Sequence, residues 1–177
     1  MKSKKIRIQL SGKTFELPSS ALMVDKWDNT QFIYMSAKNT ASVIKQYVKK
    51  NFPGVKVWAT SDVYSGGSSV RVNVCNSDGS PLSHTTAALI HSFANSFKAG
   101  RFDGMTDCYE YSDVEVRTDN GTQLKYFPSY VFVENKAPWD TVEYWVNEVK
   151  NEGRTLEQEL TYMKKGMAEK VIQALSL

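Results

Sequence analysis

Between positions 36 and 75 the apolar residues change their spacing once, at Pro53-Gly54, and that change dictates a helix followed by a strand pair. Before it, in "SAKNTASVIKQYVKKNF", Ala37, Ala41, Ile44 and Val48 recur at intervals of four, three and four, the period that lines one face of an α-helix. Ser36 stands where a cap is needed, its hydroxyl able to accept from an unpaired amide of the first turn. Pro53 has no N–H and restricts Phe52 before it, so the helix ends there. Beyond the break, "VKVWAT" and "SSVRVNVC" alternate with the period of two that marks strands. Val55, Val57 and Ala59 take one face and Val70, Val72 and Val74 another, with Arg71 and Asn73 pointing away. The interval from Ser61 to Gly67 reads as a flexible hairpin connection whose glycines supply unusual backbone angles.

The same two periods organise the rest of the chain. Ile6, Ile8 and Leu10, a Ser11-Gly12 turn, then Phe15 and Leu17 predict an N-terminal hairpin. Residues 19–35 carry a weaker signal, with Gln31 to Met35 either a short strand or the seat of the next helix. The turn-rich "NSDGSPLS" leads into a second amphipathic helix, on which Ala87, Ile90, Ala94 and Phe97 share a face and Gly100 is the stop. "VEVRT" and "TQLKYFPSYVFVEN" form a hairpin around Asp119-Asn120-Gly121, and Pro128 marks an edge or a break in its second arm. Two C-terminal helices follow, separated by Gly153. The second is capped by Thr155 with Gln158 as its capping-box partner, and carries a stripe of Leu156, Leu160, Met163, Met167 and Val171. The expected architecture is α+β: an antiparallel sheet packed against two central helices, with a C-terminal helical pair that caps the sheet or mediates self-association. The segments fall at 1–34, 35–134 and 135–177.

Composition narrows the function classes. With 177 residues, 41% of them hydrophobic, the chain suits one soluble domain, and no run nears the roughly 18 apolar residues of a membrane helix. The start "MKSKKIRIQL" lacks the apolar block of a signal peptide, which predicts a cytoplasmic protein with no membrane partner. Cys75 and Cys108 lack the spacing of a zinc or redox motif and read as plain thiols. The net charge of +3 hides an asymmetry: residues 1–58 hold eleven Lys and Arg against three acids. Such a basic end faces nucleic acid, an acidic protein or solvent.

Three stretches could carry binding or chemistry. In "VYSGGSSVRV" the glycines and serines could expose amides to a phosphate, but the lysine and helix start of a P-loop are missing. The candidates there are Tyr64, Ser65, Gly66 and Gly67 at the tip, with Tyr64 able to stack on a base or enter a partner pocket, and Arg71 on the polar face of the adjoining strand. On the first helix Lys38, Lys45 and Lys49 share one flank, suited to phosphates or an acidic surface, while Lys50 projects on the other side. In "AGRFDGMTDCYEYSD" the acids Asp103, Asp107, Glu110 and Asp113 interleave with aromatics. That stretch can be a loop in which Phe102 and Met105 tuck beneath the connection, a protein contact through Asp103, Asp107, Tyr109, Glu110 and Tyr111, or a metal or carboxylate site. The acid spacing fits no EF-hand and no His lies close by, so the loop reading accounts for more residues and no metal is assigned. His84 and His91 show no local signature of a Cys-His pair, and no dinucleotide fingerprint, GxSxG or HExxH motif is present. The expectation is a binding protein without cofactor, not an enzyme.

The order helix, Phe-Pro-Gly, strand, Tyr-Ser-Gly-Gly-Ser-Ser, strand, helix, Phe-Asp-Gly-Met-Thr-Asp resembles the large polyvalent protein-associated domains of phages and conjugative elements, over roughly residues 35–115. The resemblance implies a mobile-element origin, a bacterial host cell and an α+β module, often embedded in much larger proteins, and it carries over no catalytic residues. This chain departs in being short, with its own N-terminal hairpin and C-terminal helices. In that context the leading expectation is an accessory protein that inhibits a bacterial defence complex, of anti-CRISPR or antirestriction type, by protein–protein contact. The alternative is a nucleic-acid-binding protein of mobile-element DNA metabolism, and self-association is compatible with either.

Overall fold

Helix α1 (Ala37–Asn51) lies at the centre of the molecule, packed across the hairpin of β5 (Lys56–Tyr64) and β6 (Gly67–Cys75). The computed structural model describes residues 4–103, 105, 108–111 and 115–176, with the backbone alone at 101–103, 108–111 and 160. Ser36 caps α1, its hydroxyl accepting the Asn39 N–H at 3.2 Å, and Phe52 closes it before Pro53 and Gly54, whose φ of 94° turns the chain away. All four residues of the anticipated stripe are buried, and Thr40 and Val43 are buried beside them. The helix is therefore covered on more than one side, because the N-terminal hairpin also packs on it.

That hairpin, β1 (Lys5–Leu10) and β2 (Lys13–Pro18), buries Ile8, Leu10, Phe15 and Leu17 in the main core. Its turn uses Ser11 and Gly12 at φ 50° and 75°, and both of their amides are held by one carboxylate. Asp119 Oδ1 accepts from Ser11 N–H and Oδ2 from Gly12 N–H, each at 2.7 Å, while Asp119 N–H donates to Gln9 O at 2.8 Å.

The short strands β3 (Leu22–Val24) and β4 (Gln31–Tyr34) fill the stretch whose sequence signal was weak. Helix α2 runs His84–Asn95 under a Ser83 cap, and β7 (Gly100–Asp103) pairs with β8 (Cys108–Tyr111). The anticipated stop at Gly100 is displaced: after Asn95 the chain tightens into short-range turns that swing Phe97 into the core, and Gly100 opens a strand. Met105, expected beneath the β7–β8 connection, sits exposed at its tip. An aromatic seam joins the two central helices, with Tyr47 of α1 stacked on Phe93 of α2 at 3.6 Å between centroids and Phe93 against Phe15 and Phe97.

The remaining strands are β9 (Val116–Arg117), β10 (Gln123–Lys125) and β11 (Tyr130–Glu134). One sheet has the order β3-β4-β10-β9 and another β11-β6-β5. The fold is α+β as the periodicities indicate, but the sheets are mixed: β10 joins β4 and β11 joins β6 in parallel. The cause is local. Pro128 cannot donate to a ladder, and Tyr126 at φ 64° turns the chain, so the second arm of the expected hairpin becomes two strands in two sheets. In β5–β6 the register pairs Val57 with Val74 and Ala59 with Val72, so the valines expected on separate faces line a single one, against α1.

At the C-terminus α3 (Val142–Lys150) packs on α5 (Met167–Leu175) around Trp145, Val146 and Val171, a cluster separate from the main core. The single helix expected after Gly153 is instead α4 (Leu156–Glu159), a short 3-10 turn and α5, because the chain bends at Gly166 with φ 78°. Only half of the capping box forms: Gln158 Oε1 accepts from Thr155 N–H at 3.4 Å. Arg154 ties the pieces together through Glu148 at 3.1 Å and the buried Glu159 at 3.0 Å. The group meets the main body where Lys56 pairs with Glu143 and where the 76–80 turn abuts α3 at Gly79.

Candidate functional site

The sheet β11-β6-β5 has α1 on one face and a second face that is open to solvent at its upper end, while at its lower end Asn73 and Cys75 are buried. Strand alternation decides which side chains the open face carries. Across it the register aligns Thr60, Arg71 and Phe132 in one row, Asp62, Ser69 and Tyr130 in the next, and Trp58, Asn73 and Glu134 in a third. Tyr130 and Phe132 stack with centroids 5.9 Å apart and planes 6° apart, and Phe132 is 46% exposed. Arg71 lies on this face as expected, with a loose ion pair from Nε to Glu134 at 3.8 Å. Tyr64 is a strand residue opposite Gly67, and the tip is only Ser65 and Gly66, the latter at φ 86°. Gly67 has a steric role: a Cβ there would stand 3.1 Å from the Tyr64 ring and 3.1 Å from Ser129 Oγ. The long flexible connection expected from Ser61 to Gly67 is thus a tight two-residue turn.

At the lower end of this face a cleft of about 420 Å³ opens between the sheet and the segment entering α3. Trp58 and Trp139 line it with Arg71, Asn73, Glu134 and Lys136. Of these the sequence marked Arg71 as a candidate and Asn73 only as a residue of the polar face. The signal that could have found the others is the alternation of "YVFVE" and "VKVWAT", in which every second residue leaves the core once the register is known.

The lysine flank lies on the other side of the sheet. Lys38, Lys45 and Lys49 are exposed, fall within about 40° of one line along α1, and have no partner among the described residues. Other basic residues of the N-terminal third are engaged: Lys5 with Glu16, Lys50 with the Thr14 carbonyl and the Phe15 ring, Lys56 with Glu143. The flank and the Tyr64–Arg71 face therefore form two surfaces, separated by the sheet and helix, and not one site.

A third surface was not anticipated. Met23, Val24 and Trp27 border a cleft of about 490 Å³ with Phe32, Tyr34 and Tyr126. Trp27 is 96% exposed and Tyr126 63% exposed, the latter touching the rings of Phe32 and Tyr34 at 5.6 and 5.8 Å. Tyr126 adopts φ 64°, a left-handed conformation uncommon for a bulky residue and found preferentially where function demands it. Lys125, whose ammonium stands over the Phe32 ring at 5.3 Å from its centroid, pairs with Asp25 at 3.5 Å.

A family model, large polyvalent protein associated domain 29, matches residues 35–138. The chain belongs to this family. The match takes in α1, the β5–β6 hairpin, α2 and the strands through β11, so the open sheet face and the lysine flank lie inside the family module. The third surface straddles its boundary, with Met23, Val24, Trp27, Phe32 and Tyr34 outside and Tyr126 inside. The family associates the protein with phages and other mobile elements. Comparison with curated proteins and with solved structures returned no match.

Cys75 is buried at the end of β6, and burial first, then the Glu143 carboxylate, pushes its thiol from 9.0 up to about 11, which leaves it protonated at neutral pH. His84 and His91 are exposed on α2, His91 next to Asn95 at 3.0 Å. Among the described residues no three His, Cys, Asp or Glu side chains converge as a metal set would. Asp107 and Asp113 lie outside the described residues, as do the side chains of Asp103, Tyr109, Glu110 and Tyr111. Among the described residues no helix is long and apolar enough to cross a membrane.

Proposed function

We propose that this protein is an accessory factor of a phage or conjugative element that acts by binding, without catalysis, and that its target is a protein of a bacterial defence system of the CRISPR or restriction type. The observation that carries the binding surface is Tyr126: a bulky residue held at φ 64° presents its ring beside Trp27, Tyr34 and Met23, all exposed. Tyrosine and tryptophan are the residues around which protein interfaces concentrate their energy, each worth about 2 kcal/mol or more when it fills a partner pocket. The element context supports a host protein as target, and most of the patch lies outside the family module, where this chain differs from a bare family domain.

The test is capture from a defence-competent host with wild type and with a Trp27→Ala, Tyr126→Ala double variant. Wild type should recover a defence component and protect an incoming phage, and the variant should lose both while its urea midpoint shows it folded. Recovery of no defence component together with no protection would refute the reading.

A second reading, nucleic-acid binding, is favoured by the three aligned lysines of α1, which have no partner among the described residues. Each phosphate they neutralise would release condensed counterions, so binding would be weak and steeply dependent on salt.

A further inference from the structure

From the cleft at the foot of the open sheet face we infer that the protein binds a nucleotide unit: a planar base stacked on Trp58 and Trp139, with its phosphate on Arg71 and Lys136. The inference is independent of the function proposed above, because the cleft shares no residue with the Tyr126 patch or the lysine flank.

Four observations carry it. The volume of about 420 Å³ lies in the range of small-molecule sites. Two indoles line it, and Trp139 is 59% exposed although Lys164 Nζ stands over one face of its ring at 5.2 Å from the centroid, so the other face is available to a base. Two cations share one carboxylate: Arg71 Nε stands 3.8 Å from Glu134 Oε1 and Lys136 Nζ 3.7 Å from Oε2. Both distances exceed a hydrogen bond, so either cation can turn to a phosphate without breaking one; Asp140, which also lines the cleft, is paired with Lys164 at 3.1 Å, and the five charged groups together carry one net positive charge. Finally, Asn73 is only 6% exposed, and its Nδ2 is committed to Glu134 Oε2 at 3.4 Å and to Lys136 O at 3.2 Å. Its Oδ1 accepts no hydrogen bond among the described residues, and Asn73 is one of the residues that line the cleft. An amide oxygen there can accept from the exocyclic amino group of an adenine or cytosine.

Two sources supply this chemistry, a free nucleotide and a nucleotide of a single strand continuing over Phe132 and Tyr130. Tryptophan fluorescence and calorimetry with AMP, adenosine and oligo(dA) separate them. AMP should bind saturably and more tightly than adenosine by about tenfold, the value of one charge-assisted contact. Arg71→Ala should reduce that advantage and the Arg71→Ala, Lys136→Ala double variant should erase it, and Trp139→Ala should weaken both ligands by about tenfold. These residues are exposed, so the variants should keep the wild-type circular dichroism and melting temperature. Oligo(dA) binding about tenfold tighter than AMP, and losing that gain in Phe132→Ala, assigns the site to a single strand; equal affinities unaffected by Phe132→Ala assign it to a free nucleotide. The Lys38→Gln, Lys45→Gln, Lys49→Gln variant should keep AMP binding. No saturable binding of AMP or oligo(dA) at millimolar concentration, or binding indifferent to Arg71→Ala and Trp139→Ala, would overturn the inference.

Discussion

Replacing Gly79 with alanine tests how the C-terminal helices are held to the main body. Gly79 has φ 87°, and a Cβ built on it would stand 2.1 Å from the Glu143 carbonyl oxygen and 3.3 Å from Asn147 Cβ, both on α3. Two penalties combine. The left-handed conformation costs an alanine about 1 kcal/mol, whatever surrounds it. Overpacking against a neighbour costs about 1–3 kcal/mol more, and here that neighbour is helix backbone, which cannot rotate aside. The expected loss is about 2–4 kcal/mol. Gly121→Ala and Gly54→Ala are the controls, since those glycines have φ 88° and 94° with nothing within 4 Å of the added Cβ. Each should lose about 1 kcal/mol. Urea denaturation of the three variants reads the difference directly, the excess at Gly79 being the contact with α3. A Gly79→Ala variant no less stable than the two controls would show that α3 does not rest on this turn and that the reasoning is wrong.

In a Cys108→Ser background, Cys75 should resist a thiol reagent at pH 8 until urea unfolds the chain. Because its value rises from 9.0 to about 11 on folding, the native state keeps a proton that the unfolded chain releases. That stabilisation is complete below about pH 9 and lost as pH rises through about 11, so stability should fall across this window and Cys75→Ala should flatten the fall. Asp119→Ala removes the carboxylate that receives both turn amides of the first hairpin and should cost about 2 kcal/mol in urea denaturation, with Asp119→Asn intermediate; no loss would mean that water serves the amides equally well. Wild type should bind single- or double-stranded DNA non-specifically with a Kd of about 10⁻⁴ to 10⁻⁶ M, and changing Lys38, Lys45 and Lys49 to Gln should weaken it and flatten its salt dependence. Tight binding at physiological salt that the triple change abolishes would make nucleic acid the primary partner; none at low salt would leave the flank as a solvated face.

What the sequence disclosed was whatever neighbouring residues settle among themselves. The cap at Ser36, the stripe of α1, its end at Pro53-Gly54 and the turns at Ser11-Gly12 and Asn120-Gly121 follow from local hydrogen bonds or local backbone preference, and each was legible, although the distant Asp119 that holds the Ser11 and Gly12 amides was not. Arithmetic on a 3.6-residue period also sufficed to align the three lysines. Pairing between distant strands was not legible, because an edge strand displays the same unpaired amides to any partner. Pro128 announced a break, yet nothing near it indicated that β10 would join β4 while β11 joined β6. The break at Gly166 was hidden by the stripe itself, since Met163, Met167 and Val171 pack into one cluster across the bend. The surfaces that matter most suffered for the same reason: Tyr126 is conspicuous only for a backbone angle, and the Trp58, Arg71 and Phe132 face exists only once two strand registers are set.

The two parallel pairings impose a timetable on the molecule as it is made. Tyr130 pairs with Ser69, 61 positions earlier, and Gln123 with Phe32, 91 positions earlier. The β5–β6 hairpin can close soon after Cys75 has emerged, but β6 then waits, one edge bare, through the synthesis of α2 and everything up to Glu134. Until those last strands arrive, an unfinished chain carries open β4 and β6 edges that a neighbouring unfinished chain could also complete. A ribosome stalled before residue 134 would therefore release a sticky fragment rather than a smaller version of the protein.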